Sequence, residues 1–272
     1  MQLSISNIAW ESSDDQKIIK VLKKNNIKNI DIALGKYFSN IEETSKSQIS
    51  NLKEKWLSND IKIFGIQSLL YGKPEFNIFK QDQSKKKLFD YLENICSISK
   101  QLGAEVLVFG SPKNRDKKGI REREIFSLAK EFFIKFAEIA NYYNLTVCIE
   151  PNPEIYQCNF LTNTADTLAI IKTINKKNLK MNLDIGSISI NKENMHQICS
   201  QNGKYIGHIH ISEAYLKPIN KNFLIHNEYA SIIKKFLPSL NPCIEMLVDN
   251  EKIDDIKLID EAIEFLDQIY RN

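Results

Sequence analysis

The amino-acid sequence predicts an α/β protein, a single (β/α)8 TIM barrel spanning residues 1–272. Three observations carry that prediction. Short apolar, β-branched runs alternate eight times with stretches of helical period. No linker, low-complexity tract or composition break interrupts the alternation. No Gly-x-Gly-x-x-Gly or Walker loop follows any strand, which removes the main support for an open nucleotide-binding sheet. Strand–helix alternation implies right-handed crossovers and a parallel sheet, and eight units in this length fit a closed barrel.

The elements follow in order. Gln2 to Ala9, with Leu3, Ile5 and Ile8 among small polar residues, is the first strand. Asp14 and Asp15 open a helix through Asn25 whose apolar face is Ile18, Ile19 and Leu22. Lys28 to Leu34 is the second strand, broken by Gly35, and a helix from about Glu42 to Leu57 follows. Ile61 to Gln67 is the third strand. The long loop Ser68 to Asp82 comes next, and such loops in compact domains are often functional. A helix over Lys85–Gln101, a fourth strand over Glu105–Phe109, the turn Gly110–Arg115 and a helix over Ile120–Tyr143 complete the first half. The fifth strand ends at Glu150, stopped by Pro151 and Pro153. A helix capped by Thr162 or Asn163 then runs to Asn175. The sixth strand ends at Asp184 and Gly186, and a helix over Lys192–Ser200 leads to the seventh strand, Lys204–Glu213. A helix over Asn227–Phe236, a strand over Cys243–Val248 and a helix over Ile253–Ile269 close the chain.

Composition narrows the function classes. With 43% hydrophobic and 26% charged residues, the chain can bury a large core. Its net charge of +3 is nearly balanced, and lysines mix with glutamates, which argues against a nucleic-acid partner. No apolar run is long enough to cross a bilayer, so no membrane association is expected. The N-terminus lacks a signal-peptide layout. The five cysteines are scattered without a CxxC, as expected of reduced thiols in a cytoplasmic protein.

Chemistry concentrates at four strand ends. Two of the chain's four histidines, His208 and His210, lie two residues apart on a strand, so both imidazoles share one face. Glu150, Asp184 and Glu245 stand at the C-terminal ends of the fifth, sixth and eighth strands, and His210 lies near the end of the seventh. In a barrel those ends meet at one mouth. A lone carboxylate ending a strand is most often a helix cap or a surface ion pair. Three crowded carboxylates, however, repel and partly protonate unless a cation holds them. Three oxygens and one imidazole suit one divalent metal ion, Mn²⁺, Mg²⁺, Co²⁺ or Zn²⁺, and the oxygen majority favours the first two. His208 reads equally as a substrate contact or as support for a ligand, Cys148 as barrel packing beneath the metal, and His196 and His226 as surface residues.

The runs Gly207-His-Ile-His-Ile-Ser-Glu213, Ile149-Glu150-Pro-Asn-Pro153, Leu183-Asp184 and Ile244-Glu245 resemble the xylose isomerase-like TIM-barrel family of sugar phosphate isomerases and epimerases. The similarity extends to Gly65-Ile-Gln67 and to Phe109–Arg115. It implies that Glu150, Asp184, His210 and Glu245 are the metal ligands. Glu150 and Glu245 would also be the catalytic acid/base pair, exchanging a proton through a metal-stabilised enediolate. Ser187 stands where ketose epimerases have a histidine, and Leu216, beside Lys217, where they have an arginine; both family residues bind substrate. Trp10, Gln67, Ser111, Arg115, Ser187, His208 and Lys217 are the expected substrate-binding residues. The turn with Ser111, Lys113 and Arg115 is a candidate anchor for an anionic or multiply hydroxylated substrate, set against the plainer alternative of a solvated turn. The expected partner is a sugar or sugar phosphate, and the expected assembly a homodimer or homotetramer. A lyase or dehydratase of the same fold and a non-catalytic sugar-binding barrel are the competing classes. An endonuclease IV-like phosphodiesterase would need more histidines than the chain has.

Overall fold

Parallel pairing of eight short strands closes a barrel in the order β1 to β8, each strand hydrogen-bonded to its sequence neighbours. The structure is a computed structural model that describes residues 1–219, 223–248 and 255–271. The strands are β1 (Ser4–Ser6), β2 (Asn29–Ala33), β3 (Lys62–Gln67), β4 (Val106–Phe109), β5 (Thr146–Ile149), β6 (Leu179–Asp184), β7 (Ile206–Ile211) and β8 (Cys243–Ile244). Closure comes from β8 beside β1, with Cys243 opposite Ser4 and Ile244 opposite Ile5. The helices are α1 (Asp15–Lys24), α2 (Lys46–Leu57), α3 (Gln83–Leu102), α4 (Glu122–Tyr142), α5 (Thr164–Ile174), α6 (Ile185–Asn191), α7 (Met195–Asn202), α8 (Phe223–Phe236) and α9 (Asp255–Tyr270). Among the described residues no helix is long and apolar enough to cross a membrane.

Local signals set the helix starts. Ser45 and Gln48 form a reciprocal capping box at α2, and the side chains of Asp82, Asn163 and Asn194 cap α3, α5 and α7. Gly103 ends α3 in the left-handed region, φ 90°, where a side chain would be strained. One expected helix differs. Lys192–Ser200 is replaced by α6, which begins directly after β6, and by α7. The reason is local: Asp184 accepts a hydrogen bond from the Ser187 N–H and starts a helical turn that periodicity did not announce. Where the last helix was expected to begin, Ile253 lies outside the described residues. His226, expected at the surface, is buried in α8, 3.3 Å from Glu213 and 3.4 Å from the Tyr270 hydroxyl.

The main core fills the layer between sheet and helices. Phe109 of β4 packs into an aromatic cluster on α4, with ring centroids 5.6 Å from Phe132, 5.5 Å from Phe133 and 6.2 Å from Phe136. All four rings are buried, and each contributes roughly 1.5–3 kcal/mol by burial. Val106, Val108 and Cys148, packed with Phe64, form a separate small apolar cluster on the alternate side of their strands. Cys148 is thus packing, as expected. The barrel interior is otherwise polar. Asp31, Asn182, His208 and His210 are all buried, and the His208–Asp31 contact joins β7 to β2 across the lumen. The sheet's two register shifts fall at Ile30/Asp31 and Met181/Asn182, where a bulge re-aims the side chains that enter this polar layer.

Candidate functional site

Each carboxylate is held by backbone pairing and then aimed by polar neighbours, one side-chain amide at Glu150 and Glu245 and two donors at Asp184. Glu150 follows β5, its N–H donating to the Phe109 carbonyl at 3.0 Å, and Glu245 follows β8 with its N–H on Ile211 at 2.8 Å. Asn182 donates to Glu150 Oε1 at 2.6 Å and Gln67 to Glu245 Oε1 at 2.7 Å. Asp184 is held twice, by the Ser187 N–H at 2.6 Å and by the Ser212 hydroxyl at 2.5 Å. His210 stands opposite Asp184 in the β6–β7 register.

These four residues converge. One ligand atom from each of Glu150, Asp184, His210 and Glu245 lies within 4.8 Å of the others. The Nδ1 atom of His210 is 2.9 Å from Glu150 Oε1 and 3.2 Å from Glu245 Oε2, yet it makes no directed hydrogen bond. Such an arrangement fits donors gathered around a common centre, and the donor set of three oxygens and one imidazole suits a divalent cation. The charges fit too. Burial and then the neighbouring Glu150 and Glu245 charges push the Asp184 carboxyl up to about 7. Burial opposes a charged His210, but the Glu245 carboxylate holds its pKa well above the usual imidazole range. Burial likewise disfavours ionised Glu150, while the close approach of the His210 imidazole keeps its carboxyl below the ordinary value. Without a cation, the cluster retains protons that a cation would displace.

A deeper group supports His210 from below. Asp31, His208, His210 and Cys243 also bring their ligand atoms within 4.8 Å of one another. Asp31 Oδ2 is 2.6 Å from His208 Nε2 and 3.9 Å from His210 Nε2. Close approach of Asp31 needs Gly65, since a Cβ there would collide with the carboxyl. A carboxylate behind a ligating imidazole fixes its ring orientation and raises its basicity. His208 therefore sits against Asp31 inside the barrel.

The remaining expected residues divide. Ser187 lines the cavity that holds Glu150, Asp184 and Glu245, and its hydroxyl donates to the Pro151 carbonyl at 3.2 Å. Gln67 and Ser111 line an adjoining cavity with Glu150 and His210. Trp10 lines a third, more apolar one, with its indole N–H donating to Asp15 at 2.8 Å. Arg115 is fully buried rather than solvated, so the plainer alternative of a solvated turn fails at this residue. Its Nη2 donates to the Gly110 carbonyl at 3.3 Å, and Nε and Nη1 have no partner. The three cavities are lined without it, because the turn after β4 folds its guanidinium behind Gly110. Lys217 is exposed, its ammonium 6.0 Å from the Tyr215 ring. Sequence reasoning missed Asp31, Asn182 and Ser212. A signal existed for each: Asp31 interrupts Ile30 and Ile32, and Asn182 and Ser212 lie two residues from Asp184 and His210 on the same strand faces.

Comparisons with known proteins agree with this architecture. Among solved structures, a D-psicose 3-epimerase studied with D-fructose superposes with a TM-score of 0.83 at 17% identity, covering 100% of both chains. The D-psicose 3-epimerase of Clostridium cellulolyticum H10, solved with D-tagatose, gives 0.82 at 18% identity over 99% of each chain. The IolI protein with a bound zinc atom gives 0.76 at 17%, covering 99% of this chain and 98% of that one. No curated protein matches the sequence. The model of one family, described as xylose isomerase-like TIM barrel, matches residues 19–269, so the chain belongs to the xylose isomerase-like TIM-barrel family.

Proposed function

We propose that this protein is a divalent-cation-dependent epimerase or isomerase of a sugar, with Glu150 and Glu245 as its proton-transferring pair. The observation that carries the reading is the undirected Nδ1 of His210, set 2.9 and 3.2 Å from carboxylates that Asn182 and Gln67 hold in place. Glu150, Asp184, His210 and Glu245 would hold the cation, with Mn²⁺ or Mg²⁺ favoured and Co²⁺ or Zn²⁺ also suited to the set. When bound, the ion supplies Lewis acidity toward a carbonyl oxygen and its neighbouring hydroxyl.

The protein's own residues supply the rest. Glu150 and Glu245 come from strands separated by β6 and β7, so they approach a ligand from different directions. One takes the proton from carbon beside the carbonyl, and the other returns a proton on the opposite face. Each has one oxygen held by an amide donor, which leaves the second oxygen for that transfer. At Glu150 this second oxygen, Oε2, lies against Gly110, where any Cβ would collide with it. D-fructose and D-tagatose, the sugars studied with two structural neighbours, are the first ligands to try.

The test is hydrogen exchange. Protein loaded with Mn²⁺ is incubated in D₂O with these ketoses and a wider panel of sugars, and deuterium at the carbon beside the carbonyl is read by NMR. Cation-dependent exchange is the expected result. Cation binding without exchange from any sugar would return the barrel to a binding role.

A further inference from the structure

The side of the mouth opposite the carboxylates opens into a second cavity of about 580 Å³, larger than the roughly 380 Å³ cavity beside Asp184. Its wall is mainly apolar, with Trp10, Leu34, Ile41 and Leu69 from the first three strand–helix units, Ile95 of α3, and Leu216 after β7. The size is that of a small-molecule site, and the wall matches the apolar lining such sites favour. It is continuous with the reacting end. Gln67, Ser68 and Tyr71 line both this cavity and the one holding Glu150, His210 and Glu245, and Leu216 also borders the cavity of Asp184.

Two details at the junction point to a ligand. Gln67 is 4% exposed and its Nε2 is committed to Glu245, while its Oε1 is buried with no hydrogen-bond donor. An unfilled acceptor there costs free energy that a sugar hydroxyl would recover. Tyr215 and Leu216 both have positive φ, 62° and 52°, a backbone state that costs a bulky residue energy. Tyr156 hydroxyl accepts the Tyr215 N–H at 2.7 Å, and Leu216 carbonyl accepts the Leu247 N–H at 2.7 Å. The strained pair is therefore held in place with Leu216 between the two cavities.

Charge separates the remaining candidates for the occupant. Among the described residues, Lys36 is the one lysine or arginine lining these three cavities, and it is paired with Glu11 at 3.2 Å; His210 borders only the cavity of Ser111, Glu150 and Glu245. Arg115 lies buried behind Gly110. A phosphate in the larger cavity would meet no unpaired lysine or arginine among the described residues, whereas an apolar group would meet a wall of matching chemistry.

Building on the sugar reading above, we infer that the substrate is an uncharged sugar bearing an apolar substituent, its polyol end at the carboxylates and its substituent in the cavity beside Trp10 and Leu216. Three ligands that differ only at C6 test this: D-fructose, D-fructose 6-phosphate and 6-O-benzyl-D-fructose. Calorimetry on the Mn²⁺-loaded protein should find the benzyl ether at least about tenfold tighter than D-fructose, and the phosphate no tighter. Leu216→Arg should abolish the benzyl preference and improve phosphate binding. Equal or weaker binding of the benzyl ether to the wild type, or no measurable binding of any of the three, would overturn the assignment. Exchange in D₂O, followed in the same samples, reports the reaction separately. Exchange without a benzyl preference removes the apolar arm and leaves the epimerase reading, and a benzyl preference without exchange does the reverse.

Discussion

The two sides of the barrel mouth are built from opposite chemistry on the same repeating unit. At the ends of β5 to β8 the chain places Glu150, Asp184, His210 and Glu245 so close that the charges of Glu150 and Glu245 help raise the Asp184 carboxyl. After β1 to β3 it places Trp10, Leu34 and Leu69 around a cavity where, among the described residues, the one lysine is already paired. Gln67 joins the halves, with one end of its amide on Glu245 and the other buried without a donor. Under the proposed function, the contrast teaches that reaction and recognition are divided by strand number. The polar half costs stability by crowding charge, and the apolar half gains it by burying surface, so substitutions in the two should fail differently.

The largest effect is expected where the polar half does chemistry. Glu150→Gln or Glu245→Gln should retain the fold and part of the cation affinity while lowering turnover by roughly a hundredfold or more, read as initial rates of deuterium uptake. Near-wild-type rates in both variants would reduce these residues to ligands and dissolve the division.

Asp184→Ala attacks the same half through the cation. Elemental analysis should find most of the bound metal gone, and the rise in melting temperature on adding Mn²⁺ should vanish. For the wild type that gain is about 2.7 kcal/mol when the cation is at a hundred times its Kd. Unchanged metal content would exclude Asp184 from the site.

A milder change lies one layer down. Asp31→Asn leaves every proposed ligand in place but removes the carboxylate behind His208 and His210. Cation affinity should fall about 10–100-fold, the range for such supporting groups, with the benzyl preference of the apolar half untouched. A change in both would mean that the halves are coupled through the barrel interior.

The smallest effect concerns pH. The Asp184 carboxyl is raised to about 7 in the folded chain, above its unfolded value. The stability it contributes is therefore full below the unfolded pKa and lost as pH rises through about 7. Asp184→Asn, which imitates the protonated carboxyl, should melt higher than the wild type at pH 8 in chelator and lose that advantage progressively down to about pH 4. A constant difference across that window would show that the crowding does not control Asp184.

Much of this was legible in the chain alone. Period-two runs ending in Glu150, Asp184 and Glu245, and the Gly207-His-Ile-His210 strand, place polar groups at strand ends wherever an eight-fold alternation closes, because strand periodicity and parallel crossovers leave little freedom. Caps such as Ser45, Asp82 and Asn163 act within one turn and were likewise accessible, Asn163 by name. Tertiary structure alone decided the rest. Arg115 looked like a solvated or substrate-facing side chain, but burial depends on how the turn after β4 folds back, which no local pattern encodes. His226 is buried by α9, far along the chain, through Tyr270. The Asp31–His208 contact joins residues 177 positions apart, and the apolar cavity is shared by the first three units and Leu216. Sequence determines what each strand end carries, and closure of the barrel determines which ends face one another and which space between them stays open.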